Sequence, residues 1–565
     1  MSRVFSVAFG ARYPRAIAIV LAIAAALRLG SVHFGLPALN DPDELMYELG
    51  AFRMLRSHTL NPGWFGHPAT TTMYVLAIID ALVFCVGYIA NWFGSVRQFG
   101  EAVYADPTWI ILPGRLAMVL FGVWAVWLTW RLASELVDER TALVAAALVA
   151  FNPIFITWSQ IIRSDTMATC FMLACMRAAL RVARGGGRRD EVKASAWFAL
   201  AMATKWPFGL SALAVIGAIF LNTHSRPVIS LRVVGRIGLF FAMGACLLFL
   251  ISPYLILDYP TALRNLQGEA QLRHLGATGG TSLQNAQWYL CGPILNGIGL
   301  VGLIFAAIGL PILARNRETL AVVIPVLTVF FVVLCLQHLV WARWVLPLAP
   351  LLSISAAFAF RRIADAFQIV VPRATPVVLT IVTASMLVPL CIKAERDGKE
   401  RLNDTRQRAA TWARSHISSG SSVLVEHFAF DLLPQPWRFL YPLADAGCVD
   451  ARNLLRDKVS YSFVDQARGS RANIDYGTVP AWRRDTCRTD WAIITQADRY
   501  HAERTYFPVE YAAYRGLFAQ GRIVASFLPV EGQSGGPVVR VIRLRPVVRP
   551  QRSDTPLGSG MNNPL

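Results

Sequence analysis

Three carboxylates stand close together in a polar stretch that follows the first apolar run of the sequence. Residues 40–47 read NDPDELMY. Pro42 suits the first position of a helix and Asp41 suits its cap, so hydrogen bonding to the helix N-terminus explains Asp41. A helix dipole favours acids in the first turn but does not require all of them to be there, so it explains Asp43 and Glu44 less well. Asp43 and Glu44 are therefore candidates for acid–base or charge-stabilising chemistry.

A second acidic position, Asp165, lies between two apolar runs in the segment IRSDT, residues 162–166. Taken alone, Asp165 could simply start a helix. If its loop meets the stretch 40–47 on one face of a helical bundle, the acids of both loops would form a polar site at a membrane surface.

Basic residues interrupt the apolar runs at three places. Lys205 stands two residues before Pro207, Arg28 lies near the end of the first run, and Arg343 lies between two tryptophans. Each side chain could reach toward the membrane surface or bind an anion. Positive charge is depleted on the outer face of membrane proteins, so three cations there favour a bound phosphate.

The sequence holds no strong cofactor motif. His67 is isolated, no His or Cys spacing resembles a zinc site, and there is no Walker loop or glycine-rich dinucleotide fingerprint. Carboxylates at this density could hold a divalent metal, but no spacing demands one. We therefore expect no required cofactor and no nucleotide-sugar donor.

The elements that position these residues are membrane helices. Of the 565 residues 55% are hydrophobic and 16% are charged, whereas soluble chains have about a quarter charged. About eleven apolar runs of roughly 17 to 25 residues recur over 1–394, long enough to cross a bilayer. The net charge of +19 is spread in short clusters between these runs, which indicates membrane topology rather than nucleic-acid binding.

Placing the basic clusters in the cytoplasm puts both acidic loops and the C-terminal segment on the opposite face. The run Thr70–Ala90 would reverse this order if it crossed the membrane alone. We interpret it as a membrane-surface or re-entrant helix within a first outer loop, 35–113. Asp80 would be partly hydrated in such a position.

From residue 395 onward polar residues dominate, and a soluble domain is predicted over 395–546. An amphipathic helix is expected at 403–416, and a disordered tail at 547–565. Four β-rich runs predict a mixed α/β module: 422–426, 491–495, 522–528 and 538–544. Cys448 and Cys487 are the cysteines of this segment. They could form one disulfide in an oxidising compartment or remain two thiols.

The order of these residues resembles the GT-C glycosyltransferases that use polyprenyl- or dolichyl-phosphate sugars, which include protein O-mannosyltransferases and the aminoarabinose transferases of lipid A. The resemblance covers nearly the whole chain, a polytopic core of about 11 to 13 helices with a C-terminal α/β domain. Its pieces are Arg28, Asp43-Glu44 with Tyr47, His67-Pro68, Arg115-Leu116, Asp165, Thr204-Lys205, and Arg343 before Leu346-Pro347-Leu348-Ala349-Pro350.

The resemblance implies a role for several of these residues. It makes Asp43 the general base, with Glu44 beside it, and places Asp165 in the same cavity. It implies that Lys205 binds the carrier phosphate. Arg28, Arg115 and Arg343 are further candidates for binding the phosphate or for bracing the acidic loop. Asp41, Tyr47 and His67 are candidates for contacting substrate.

Two positions depart from the family pattern. Ala69 stands where relatives have a second proline after the residue matching His67, and Met46 stands where the aminoarabinose transferases have arginine. The second departure argues against an aminoarabinose donor.

We expect a transferase that moves sugar from a polyprenyl-phosphate carrier to a glycan, lipid or protein acceptor, with inversion at the anomeric carbon. Its setting would be the bacterial inner membrane, with the site and C-terminal domain on the extracytoplasmic side. The alternative is a transporter or lipid flippase, but the sequence shows no repeated halves and its acids lie in loops rather than mid-span. A receptor-like domain on an inert anchor would not need so many spans.

Overall fold

A computed structural model of the chain describes residues 14–223, 230–426, 431–455 and 475–545. Helices dominate as far as Leu402, and a sheet domain follows. The tail 547–565, for which disorder is predicted, lies outside the described residues.

Within the described residues 14–223, nine α-helices form the first part of the helical region. Their bounds are α1 Pro14–Leu29, α2 Pro42–Ser57, α3 Thr70–Ile89, α4 Val96–Ala105, α5 Thr108–Leu136, α6 Glu139–Phe151, α7 Pro153–Trp158, α8 Ser164–Ala183 and α9 Arg188–Thr204.

A 3-10 turn, Trp206–Ser211, leads into the second part. Its α-helices are α10 Ala212–Asn222, α11 Leu231–Ile251, α12 Tyr254–Leu257, α13 Tyr259–Glu269, α14 Ser282–Tyr289, α15 Leu295–Leu313, α16 Arg317–Val322, α17 Ile324–Leu336, α18 Leu348–Val370, α19 Thr375–Leu402 and α20 Thr405–His416. A π-turn at Leu290–Ile294 joins α14 to α15, and a 3-10 turn at Ala342–Val345 precedes α18.

Seven segments of the described chain are long and apolar enough to cross a membrane, which agrees with an integral membrane protein. They are Thr70–Ile89, Thr108–Leu136, Ser164–Ala183, Leu231–Ile251, Ser282–Leu313, Arg317–Leu336 and Thr375–His416. Other predicted spans form shorter helices, such as α1 and α9, which pack beside the long ones. The predicted polytopic helical fold is confirmed.

Helix α8 lies at the centre of the bundle. It is the most deeply buried of the seven segments and packs against α5, α9 and α10. Ala168, Cys170, Cys175 and Ala179 are buried along it, and such small side chains let neighbouring helices approach closely. Asp165, in the first turn of α8, is therefore held at a fixed place in the bundle.

The two ends of α3 both lie near one face of the bundle. At its start, the Thr71 hydroxyl is 2.6 Å from that of Thr204. Just beyond its end, Phe93 packs edge-on against Trp109 in the first turn of α5, with ring centroids 5.2 Å apart. These contacts agree with the predicted membrane-surface position of α3, which stays a prediction.

The C-terminal domain is built on a six-stranded mixed sheet in the order β3-β2-β1-β4-β6-β5. The strands are β1 Ser422–Val425, β2 Arg438–Pro442, β3 Cys448–Asp450, β4 Trp491–Ile494, β5 Gly521–Phe527 and β6 Val539–Leu544. Strand β1 pairs in parallel with β2 and β4, and the remaining pairs are antiparallel. The described part of the domain also has the helices α21 Ala451–Leu455, α22 Ala497–Ala502 and α23 Pro508–Ala519. The predicted mixed α/β module is confirmed.

Cys448 and Cys487 form a disulfide, with Cα atoms 4.9 Å apart. The bond ties β3 to the 3-10 segment Ala481–Cys487. Of the two alternatives that the sequence left open, the structure has the paired form.

Contacts from two sides hold the C-terminal domain against the helical core. From α20, the Arg406 guanidinium donates to the Asn40 carbonyl at 2.7 Å. From the core, the loop after α13 places Leu275 among the buried side chains of the sheet domain, and the Gly276 amide donates to Glu503 at 2.9 Å. The loop that precedes the acidic residues of α2 is thus fixed by the domain that follows the bundle.

Candidate active site

The N-terminus of α2 presents its acids as the sequence predicts. Asp41 caps the helix by accepting a hydrogen bond from the Asp43 amide at 3.1 Å, and Pro42 occupies the first turn. Both acids bind Arg163, whose Nη2 lies 3.0 Å from Asp41 and whose Nη1 lies 2.7 Å from Asp43. Asp43 stays 43% exposed, so it combines a fixed position with access from solution.

The second acid and the predicted phosphate-binding lysine contact each other directly. Lys205 Nζ lies 2.6 Å from Asp165 Oδ1, and both side chains are buried. A backbone bridge positions the lysine, because the Ala69 amide donates to the Thr204 carbonyl and the Trp206 amide donates to the His67 carbonyl. The bridge also brings the segment after the acidic loop against the end of α9.

Arg343 is a buried guanidinium with few polar contacts. Its Nε lies 4.0 Å from Asp165 Oδ2, beyond hydrogen-bond distance, and finds no acceptor among the described residues. The guanidinium carbon lies 4.3 Å from the ring centroid of Trp341 and 5.7 Å from that of Trp158. A buried cation with an unused donor is suited to bind an anion.

Tyr47 and His67 are joined at the edge of the site. The Tyr47 hydroxyl lies 3.1 Å from His67 Nδ1, and Glu269 at the end of α13 lies 3.6 Å from Nε2. Gly66 leaves room for this acid, because a Cβ at Gly66 would lie 3.0 Å from the Glu269 carboxylate. Trp64 packs edge-on against both rings.

Glu44 and Arg115 form a separate, fully buried pair. Arg115 Nε and Nη2 donate to the two Glu44 oxygens at 2.8 and 2.6 Å, and Nη1 donates to the carbonyls of Val32 and Phe34. The Ile162 amide also donates to Glu44 at 3.0 Å. With its partners fully engaged and no exposure, this pair braces the loops that carry the acids rather than facing a cavity.

Arg28 is also buried away from the acids. Its guanidinium donates to the carbonyls of Ala24, Val149 and Ala150 at 3.0 to 3.2 Å and meets no carboxylate of the described chain. The structure therefore brings together Asp41, Asp43, Tyr47, His67, Asp165, Lys205 and Arg343, and it places Glu44, Arg115 and Arg28 outside this group.

The surroundings of Asp43 and Lys205 lower the pKa of each side chain by a different cause. Burial alone would raise the pKa of Asp43, but the positive charges of Arg163 and Arg343 outweigh burial and lower it. Burial lowers the pKa of Lys205 to about 8, although Asp165 opposes the change. Asp43 is thus ionised at neutral pH. Lys205 changes between its ammonium and amine forms at a pH of about 8.

Sequence reasoning missed two residues of the site. Arg163 was visible beside Asp165, but nothing in the sequence showed that it would bind the acids of α2. Glu269 belongs to no motif and reaches the site only through α13. No three His, Cys, Asp or Glu side chains in the described ranges are placed to share a metal ion. The expectation that no cofactor is required stays a prediction.

Residues 108–257 match the family model for dolichyl-phosphate-mannose-protein mannosyltransferase, a region from the start of α5 through α12 that includes Asp165 and Lys205. A sequence search of curated proteins finds no significant match.

Solved structures share the whole fold. ArnT from Cupriavidus metallidurans in the apo state has a TM-score of 0.52 at 16% identity, covering 93% of this chain and 97% of that one. The same protein bound to undecaprenyl phosphate has a TM-score of 0.51 at 15% identity, with coverage of 94% and 98%. The Archaeoglobus fulgidus oligosaccharyltransferase in the apo form has a TM-score of 0.51 at 13% identity, with coverage of 89% and 73%.

The chain therefore has the GT-C glycosyltransferase fold, a helical membrane core followed by a mixed α/β domain. The predicted resemblance in fold is confirmed, and the description of the family model agrees with the predicted class of enzyme.

Proposed function

We propose that this chain is a membrane glycosyltransferase that moves a sugar from a polyprenyl-phosphate carrier to an acceptor outside the cytoplasm. The observation that carries the proposal is the grouping of one accessible carboxylate, Asp43, with buried cations on one face of the bundle. The chemistry of transfer needs both, because a proton must leave the acceptor while negative charge grows on the departing phosphate.

Each residue then has a role in the reaction. The acceptor hydroxyl or amine attacks the anomeric carbon, and Asp43 takes its proton. The bond from that carbon to the phosphate oxygen breaks, and the phosphate leaves with the electron pair. Lys205 and Arg343 balance its charge, and Asp165 holds Lys205 in place. Attack opposite the leaving group inverts the carbon.

Comparison proteins support the class of donor. The matched family model is described by dolichyl-phosphate-mannose, and ArnT was solved with undecaprenyl phosphate. We assign the donor here to the same class, a sugar on a polyprenyl phosphate. Glu44, Arg115 and Arg28 become positioning residues, because Arg115 binds both oxygens of Glu44 and Arg28 donates to backbone carbonyls away from the acids.

The proposed location is the bacterial inner membrane, with the site on the extracytoplasmic side. The disulfide between Cys448 and Cys487 supports this orientation, because disulfides persist in oxidising compartments. The C-terminal domain contacts the acidic loop through Arg406, so the site would face the same side.

The test is to incubate the purified chain with a panel of polyprenyl-phosphate sugars and measure donor consumption. Asp43→Asn should lower turnover roughly 10²- to 10⁴-fold, the usual contribution of a positioned base. Glu101→Gln is a matched control, since Glu101 is an exposed acid that pairs with Arg97, one turn before it on α4. Near-normal turnover in Asp43→Asn would remove Asp43 from the mechanism.

A further inference from the structure

Arg163 is the cation that contacts the proposed base. Its Nη1 lies 2.7 Å from Asp43 Oδ2, while Nη2 lies 3.0 and 3.1 Å from the two oxygens of Asp41. The Arg163 side chain is only 7% exposed and Asp43 is 43% exposed, so water screens the pair only from the side of the carboxylate. Because Arg163 binds Oδ2 and stabilises the ionised carboxylate, the structure holds Asp43 as a weak base although its other oxygen stays accessible.

Arg163 also has an unused donor that faces no protein acceptor. Its Nε, like that of Arg343, is buried without a hydrogen-bond partner among the residues that the structure describes. Both guanidinium groups lie over the ring of Trp158, at 5.3 and 5.7 Å from its centroid. Two cations that share one indole, each with an unsatisfied donor, form a site that an anion would complete.

We propose that Arg163 is a latch on the base, released when the carrier phosphate binds. The phosphate enters between Arg163 and Arg343, and Arg163 exchanges the Asp43 carboxylate for a phosphate oxygen while it keeps Asp41. Asp43 is then free to take the proton of the acceptor. This inference rests on the proposed function and adds an order to it: the donor binds first, and the base becomes competent only afterwards.

The exchange makes and breaks no covalent bond. It replaces one charge-assisted hydrogen bond of Arg163 by another, so the guanidinium stays paired throughout. An enzyme built in this way would not activate an acceptor or water before a donor is present.

A double-mutant cycle on phosphate binding tests the latch. The binding of a short-chain polyprenyl monophosphate would be measured for the full-length wild type, Asp43→Asn, Arg163→Gln and the double variant. In the wild-type background the phosphate competes with Asp43 for Arg163, so Asp43→Asn should tighten binding about tenfold. In the Arg163→Gln background no competition remains, and the same substitution should change binding less than about twofold.

Simple repulsion between two negative charges predicts a different result. In that case Asp43→Asn would tighten binding at least as much in the Arg163→Gln background, and this outcome would overturn the latch while leaving the proposed function intact. If the wild type binds no polyprenyl monophosphate, both the proposed function and the latch fail.

Arg163→Lys covers the case in which Arg163→Gln does not fold. A single ammonium group cannot hold both Asp41 and Asp43 as the guanidinium does, so the gain from Asp43→Asn should fall below about threefold. An unchanged tenfold gain in this background would overturn the latch. Asp258→Asn, which removes an acid hydrogen-bonded to Asn61, serves as the control for unspecific charge effects.

Discussion

Lys205 provides a sharp test of phosphate binding, because its charge depends on pH in an accessible range. Burial lowers the pKa of Lys205 to about 8, so the ammonium form dominates at pH 7 and is largely lost at pH 9. Only about one lysine in eleven is charged one unit above its pKa, which lowers the competent fraction about tenfold between pH 7 and pH 9. A polyprenyl monophosphate should therefore bind about tenfold more weakly at pH 9, equivalent to about 1.4 kcal/mol.

Other groups that face the lysine do not produce this change. A phosphate monoester has already lost its second proton by pH 7, since its pKa is about 6. The pKa of His67 is lowered by burial, so the ring is neutral throughout. The positive charges of Arg163 and Arg343 keep Asp43 ionised across this range.

Equilibrium binding would be measured at pH 7, 8 and 9 and at constant ionic strength. Lys205→Arg is the matched control, because an arginine side chain keeps its charge across this range and its binding should not weaken above pH 8. The reasoning is refuted by a flat profile in the wild type, or by the same alkaline loss in Lys205→Arg.

Three further predictions concern stability. Burial raises the pKa of Asp475 to about 8, above its unfolded value, so the folded state retains a proton and the free energy of unfolding falls as pH rises from about 4 to 8. Asp475→Asn should remove most of this slope in thermal unfolding at pH 5 and 7.5, and an unchanged slope would contradict the assignment. Glu44→Gln leaves Arg115 buried without its charge partner and should destabilise the fold by roughly 3 to 5 kcal/mol in denaturation. Normal stability of that variant would argue against bracing. Cys448→Ser removes a link across 39 residues and should lower stability by roughly 4 kcal/mol relative to the oxidised wild type, and the reduced wild type should show the same loss.

Local signals predicted much of the fold. The run of apolar and β-favouring residues after Asp490 predicts a strand at 491–495, and the structure has β4 at Trp491–Ile494. Likewise, Asp41 followed by Pro42 marks the start of α2, where the aspartate caps the helix. Such features depend on residues adjacent in sequence, so no knowledge of the tertiary fold is needed to find them.

Contacts between distant segments could not be read in the same way. Glu269 meets His67 from more than 200 residues further along the chain, and no periodicity or motif links the two. The span count also differs, because α1 and α9 have 16 and 17 residues and so lie at or below the short end of the length that crosses a bilayer. Arg163 illustrates a third difficulty, since a basic residue beside Asp165 gave no sign of its partners in α2.

Asp43 and Glu44 show why residue type alone does not assign a role. The two acids are adjacent in the first turn of α2, and either could serve as a base by chemistry alone. Glu44 has both oxygens bound by Arg115 and a further hydrogen bond from the Ile162 amide, with no exposure to solvent. Asp43 keeps 43% of its side chain exposed and has one cationic contact, to Arg163. A base must meet its substrate and must have an oxygen free to take the proton, so Asp43 alone of the two fits that task.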